Sequence, residues 1–256
     1  MRVQSHALYL YFIDKTLKNK DSYFRFKNAE LRNDRAAFKI NTDGVLLAAW
    51  VDIRPEDKIF EIGTGTGVIP ILLTSRYGNL DISCIELDDA SYLEARFNIR
   101  HNGMNSIRLI HGDVKQFVTH NRISYDHIIS NPPFFQNDTK PQNASLSVSK
   151  HSTLLDIEEL CSVCNILTEK SNTARLSVIL SLQSSILFEK IITNYGFSLK
   201  RLTRIKGTTD KPVIRCLMEF QRSFSGDIDE CDLVLFEDKE RTKTHAYDKL
   251  VSGFYL

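Results

Sequence analysis

One feature limits this chain more than any other: from about residue 57 onward, short apolar runs alternate with longer amphipathic ones. Lys58 to Ile62 reads as a strand and stops at a glycine cluster, and Val68 to Arg76 then shows helical spacing. Asp81 to Glu86 and Ala90 to His101 repeat the strand-then-helix pattern. Ser106 to His111 and Tyr125 to Ser130 read as further strands. Ser152 to Leu167 has helical periodicity, and Arg175 to Leu180 returns to strand character. Strands separated by helices favour a parallel sheet covered on both faces. In the last third, Phe197 to Ile205 and Val213 to Phe220 flank Gly207 to Asp210, which predicts an antiparallel hairpin at the sheet edge. The expected fold is therefore α/β and Rossmann-like, with a mostly parallel seven-stranded sheet, a C-terminal antiparallel hairpin and helices on both faces. Ser223 to Asp232 is polar and acidic and reads as a loop, and His245 onward as a short helix whose apolar end docks on the body.

Composition removes several classes of function. The 256 residues carry 33 Lys plus Arg against 32 Asp plus Glu, so no global charge draws the chain to nucleic acid or membrane, although a local basic face remains open. No stretch reaches the ~18 apolar residues of a membrane span. The run Ala7 to Ile13 ends at Asp14 and Lys15 without a small-residue cleavage site, and reads as a short buried or edge segment. Five cysteines at irregular spacing argue against a disulfide framework and for a reducing cytoplasm. Cys161 and Cys164 lack a second pair or a His cluster, so no metal is expected.

Chemistry concentrates at the ends of the predicted strands. Glu61, Gly63, Gly65 and Gly67 lie in the turn between the first strand and its helix, where glycine lets backbone approach a ligand and the helix offers unpaired N–H groups. A dinucleotide fingerprint would need glycine at position 68, which is Val, and the Gly-x-Gly-x-Gly spacing suits a cofactor without a pyrophosphate, such as S-adenosylmethionine. Glu86 ends the second strand, where a carboxylate can take both hydroxyls of a ribose; a solvated strand end is the alternative. Asp113, after Gly112, can accept from an adenine amine or simply form a turn.

Asn131-Pro132-Pro133-Phe134, directly after a strand, is the most informative segment. The prolines remove backbone donors and hold the chain extended. That leaves the Asn131 amide oxygen and the Pro132 carbonyl as acceptors for one amino group, with Phe134 as a stacking face. An amine held this way loses conjugation with its ring and becomes nucleophilic.

With these motifs the chain resembles class I S-adenosylmethionine-dependent methyltransferases that act on planar amino nitrogens. More narrowly it resembles the bacterial tRNA1(Val) adenine N6-methyltransferases, through Tyr23 to Lys27, Lys39 to Trp50, Asn131 to Phe135, Lys150 to Ser152 and the ending Phe254-Tyr255-Leu256. The resemblance runs from about Tyr23 to the C-terminus. It implies S-adenosylmethionine as cofactor and tRNA as partner, with adenine 37 beside the anticodon as target, and implies no membrane and no obligate protein partner. The expected organisation is an N-terminal extension and cofactor- and substrate-side segment over residues 1–50 and a methyltransferase core over 51–256, together one structural domain. Asn131, Pro132 and Phe134 would be catalytic. Thr42, Asp43, Gly44, Glu61, Gly63, Gly65, Gly67, Glu86, Leu87, Asp113 and Asn131 would hold the cofactor. For Asp43, a helix N-cap before Val45 is also open.

Three features depart from the family pattern: no arginine precedes His151 in the Asn137 to Ser149 stretch, Asn102 to Asn105 lacks a Ser-Pro-Trp, and residues 1–22 are extra. An RNA substrate needs basic surface. Eight bases fall between Lys15 and Lys39 and seven between Lys200 and Arg222. Arg25, Lys27, Lys150, His151, Lys206 and Lys211 are the expected RNA contacts. The alternatives are a methyltransferase of guanine N2 in ribosomal RNA or of protein glutamine, and a non-catalytic RNA-binding factor with this fold.

Overall fold

The computed structural model describes residues 22–120, 123–132, 155–238 and 240–255. Two short strands, β1 (Tyr23–Arg25) and β2 (Glu30–Arg32), form an antiparallel ribbon ahead of helix α1 (Thr42–Trp50). The chain then runs β3 (Lys58–Ile62), α2 (Val68–Tyr77), β4 (Asp81–Glu86), α3 (Asp89–His101), β5 (Arg108–His111), α4 (Val114–His120) and β6 (His127–Ser130). It continues through α5 (Ile157–Leu167), β7 (Arg175–Leu180), α6 (Leu182–Ile192), β8 (Phe197–Lys206), β9 (Val213–Arg222), β10 (Asp229–Val234) and α7 (His245–Val251).

The main sheet has the order β10-β8-β9-β7-β6-β3-β4-β5. β3, β4, β5, β6 and β7 pair in parallel, and β9 runs antiparallel to both β7 and β8. The central strands β6 and β7 are buried along their whole length, as parallel strands with helices on both faces must be. One apolar cluster packs α1 and α2 with α7 and the β1–β2 ribbon, and a second packs α4, α5 and α6 on the opposite face.

Seven of the eight strands match the expected sheet, and β10 is the correction: the acidic stretch taken for a loop contains an edge strand. Asp229 to Asp232 are exposed and only Leu233 is buried, so no apolar alternation marks the strand. It is held by long-range pairing with β8, where Arg204 bonds Glu230 at 2.7 Å and Lys206 bonds Asp232 at 2.6 Å. Charged residues on an edge strand also discourage pairing with another chain.

Helix starts follow local chemistry. Asp88 caps α3 by accepting from Ser91 N at 2.8 Å, and Asp156 and Glu159 form a reciprocal capping box on α5. Helix α1 is buried from Gly44 to Trp50, so tertiary packing rather than an amphipathic stripe holds it. At the end of the sheet where the parallel strands begin lies a buried polar network. Arg175 pairs with Asp57, His127 Nε2 lies 2.8 Å from Ser177 Oγ, and Lys200 reaches Glu219 at 3.1 Å. Among the described residues no helix is long and apolar enough to cross a membrane.

Candidate active site

The site lies where β3, β4, β5 and β6 end. Ligands in open parallel sheets bind at this edge. After β3, Gly63 N and Thr64 N donate to the Ile85 carbonyl at 3.0 and 3.1 Å, which folds the glycine turn over β4. Gly63, Gly65 and Gly67 all have positive φ, for two different physical reasons. A Cβ at Gly65 would meet nothing within 4 Å, so there the side-chain space is left open toward a ligand. At Gly67 it would stand 3.4 Å from the Ala95 Cβ, so that glycine lets α2 start close against α3.

Glu61 is fully buried beneath this turn and bonds the Thr64 hydroxyl through one oxygen. Its other oxygen is buried without a partner among the described residues. Burial, with Glu86 nearby, pushes its carboxyl up to about 8. A buried carboxyl with an unused acceptor is costly unless a donor or cation completes it. Glu86 takes Gly65 N at 2.7 Å on one oxygen and Asp88 N at 2.8 Å on the other, and burial raises its carboxyl as well. Each oxygen still has a lone pair to accept from a diol. Leu87 beside it is exposed, and Asp113 accepts from Lys115 N at 2.8 Å, which turns the chain into α4.

Asn131 follows β6, whose last residue Ser130 donates to the Ile62 carbonyl at 2.9 Å and so ties the ends of β6 and β3 together. No hydrogen bond with a described residue engages the Asn131 amide. Gly44 borders it: a Cβ there would lie 3.7 Å from Asn131 Nδ2 and 3.1 Å from Val68 Cγ1. The glycine turn, Glu61, Glu86, Asp113, Gly44, Asn131 and the buried Pro132 therefore gather at one edge of the sheet. Thr42 is exposed at the first turn of α1. Asp43 is not the N-cap, which is Asn41 accepting from Gly44 N at 3.1 Å. Instead Asp43 takes Arg215 Nε at 2.9 Å, binding α1 to the hairpin strand β9.

Among the described residues the expected RNA contacts are dispersed: Lys206 lies by strand register at the edge where β7 ends, whereas Arg25 is on the β1–β2 ribbon. Arg25 pairs with Glu30, and Lys27 Nζ donates to the Ser252 carbonyl at 2.8 Å. Glu30 sits opposite Asn102, just past the far end of α3 from Glu86, ~20 Å away at ~1.5 Å rise per residue. Lys206 is paired with Asp232 at 2.6 Å, whereas the Lys211 side chain is 63% exposed and lies 3.9 Å from Asp210, itself exposed. Phe134, Lys150 and His151 lie outside the described residues.

Sequence reasoning missed Arg215 as the partner of Asp43. It also missed a ladder along α3. Asn102 exchanges two bonds of 2.9 Å with the Glu30 backbone, and Asn98 bonds Arg32 N at 2.7 Å and Arg32 O at 3.0 Å. One oxygen of Glu94 collects the N–H groups of Asp34, Arg35 and Ala36, and Ser91 Oγ takes Ala37 N at 3.1 Å. Polar residues at 91, 94, 98 and 102 share one helix face, a spacing visible in the sequence.

Residues 36–157 match the family model described as methyltransferase small domain. A protein of Trichodesmium erythraeum named tRNA1(Val) (adenine(37)-N6)-methyltransferase is 34% identical over 236 residues, 91% of this chain and 97% of that one. This chain belongs to the tRNA1(Val) (adenine(37)-N6)-methyltransferase family. A family member of Vibrio vulnificus is 32% identical over 94% of this chain and 98% of its own length. This chain shares its fold with a predicted O-methyltransferase from Agrobacterium tumefaciens, with a TM-score of 0.61 at 19% identity over 83% of this chain and 96% of that one. A methyltransferase from Pyrococcus furiosus shares it too, with a TM-score of 0.53 at 18% identity over 86% and 98%. Its membership in the family implies S-adenosylmethionine as the cofactor. The described residues suit that group: an open glycine turn, an unpaired buried carboxyl oxygen and a strand-end carboxylate with acceptors to spare.

Proposed function

We propose that this protein methylates N6 of adenine 37 in tRNA1(Val), using S-adenosylmethionine, in the cytoplasm. The observation that carries this reading is Asn131: its amide has no described hydrogen-bond partner, borders Gly44 and follows a strand whose end is tied to β3, just ahead of the glycine turn. The relatives' shared name supplies the nucleic acid and the atom.

Glu86 holds the ribose hydroxyls of the cofactor, and Leu87 lies against its adenine with Asp113 as acceptor. Glu61, buried and half-satisfied, receives the cofactor's cationic amino end. Thr42, Asp43 and Gly44 line the pocket from α1. When bound, S-adenosylmethionine supplies a methyl made electrophilic by its sulfonium. Asn131 Oδ1 and the Pro132 carbonyl accept the two hydrogens of N6, which localises its lone pair and aims it. Phe134, assigned by its place in the motif, stacks the target base. Alignment supplies most of the rate, as expected where the reacting atoms need only be held in line. No strong base is required, because N6 sheds its proton to water after the new bond forms. The target adenine must leave its stack to reach Asn131, at a cost of a few kcal/mol.

Incubation of the purified protein with labelled cofactor and tRNA pools tests the reading. The expected result is label in tRNA1(Val), recovered as N6-methyladenosine at position 37 by nucleoside mass spectrometry. Label in another RNA or on another atom, or none from protein that binds cofactor, overturns it.

A further inference from the structure

The ladder along α3 ends on an aromatic residue that nothing so far uses. Phe38 is 58% exposed, the second most exposed large apolar side chain among the described residues, and it has no described ring or cation partner. A single exposed apolar residue ordinarily means nothing. This one is held in place. The chain climbs α3 one turn at a time, from Glu30 at Asn102, through Arg32 at Asn98 and residues 34–36 at Glu94, to Ala37 at Ser91. Ser91 also donates to Asp88, two residues past Glu86. On the other side of Phe38, Ile40 N donates to Asn33 Oδ1 at 2.8 Å, and the next residue, Asn41, caps α1. Phe38 is thus fixed within two residues on both sides, between the cofactor carboxylate end of α3 and the start of α1, whose Gly44 borders Asn131.

Lys39 beside it is exposed and has no ion-pair partner among the described residues. An aromatic face on an anchored backbone, next to an exposed cation at the rim of a site that takes a splayed base, is an arrangement by which proteins hold single-stranded RNA. We infer that Phe38 stacks a base of the anticodon loop next to the target adenine, with Lys39 on the adjoining phosphate. This rests on the tRNA reading above.

The test compares wild-type protein, Phe38→Ala and Phe38→Trp, measuring kcat and KM for tRNA1(Val) and Kd for the product S-adenosylhomocysteine. Removing one stacked base contact should raise the tRNA KM by about 5- to 150-fold. The kcat and the S-adenosylhomocysteine Kd should stay within about twofold, and Trp should restore KM. Lys39→Ala should raise the tRNA KM and flatten its salt dependence. An unchanged tRNA KM in Phe38→Ala, or a loss matched by weaker S-adenosylhomocysteine binding, overturns the inference while leaving the tRNA reading intact. A wild-type protein that binds S-adenosylhomocysteine but methylates no tRNA overturns both.

Discussion

Gly44 and Asn131 are neighbours across the site: a Cβ on the helix residue would lie 3.7 Å from the amide nitrogen and 3.1 Å from Val68, the first residue of α2. The absent side chain keeps α1 from crowding either the proposed amine clamp or the helix that follows the glycine turn. Gly44→Val should therefore lower kcat at least tenfold. Overpacking of this kind costs about 1–3 kcal/mol, which thermal unfolding should show as a drop of several degrees.

Asn131→Ala removes an acceptor that has no hydrogen bond with a described residue. Methyl transfer should fall by at least about 10²–10³-fold, the range for loss of one preorganised polar contact. Calorimetry should find cofactor affinity within a few-fold of wild type. Full activity in this variant would disprove the catalytic assignment.

Glu61 should make cofactor binding depend on pH. In the free protein its carboxyl holds a proton up to about 8. A cation bound beside it favours the carboxylate, so binding releases a proton and affinity rises with pH. The window to measure is pH 6 to 7.5, below the ordinary 7.7–8 of an α-amino group. Titrations in buffers of different ionisation heat should detect the released proton. Glu61→Gln should bind more weakly and lose both the slope and the proton.

At the opposite end of the sheet, His127 should set acid sensitivity. Its burial, with Arg175 close by, holds the imidazole well below its ordinary 6.5. The unfolded chain therefore takes up the proton first, and stability falls as pH drops through about 6.5. Chemical denaturation between pH 5 and 8 should show this slope in wild-type protein. His127→Gln, which can still bond Ser177, should flatten it.

Lys206 and Lys211 should differ in their contribution to RNA binding. Lys206 already neutralises Asp232, whereas the Lys211 side chain is largely exposed. Lys211→Ala should reduce the slope of log Kd against log salt by about 1, and Lys206→Ala by clearly less.

How legible each part was depended on whether its signal is local. β3, β4 and β7 have the bounds that their apolar runs predict, because buried parallel strands read as continuous hydrophobic segments. β10 has no such run: its one buried residue, Leu233, follows four exposed ones, and its partner lies 28 residues earlier in the chain. The placement of the glycine turn, Glu86 and Asn131 was legible for a related reason, since each sits where a predicted strand ends. For Asp43 the sequence leaves a helix cap open beside the pocket, because it shows a carboxylate near a helix start and not Arg215 reaching it from 172 residues away.

The sequence alone determined the alternating architecture, the ligand edge of the sheet and the kinds of group collected there, because period, glycine and proline act through the local backbone. Only the tertiary structure decided which charges are spent on each other. Along β8 and β10 the basic stretch that looked ready for RNA meets an acidic strand, and along α3 four polar side chains carry residues 30–37 up to the site. Such pairings depend on distance in space, and a one-dimensional pattern carries no information about which distant segments lie side by side.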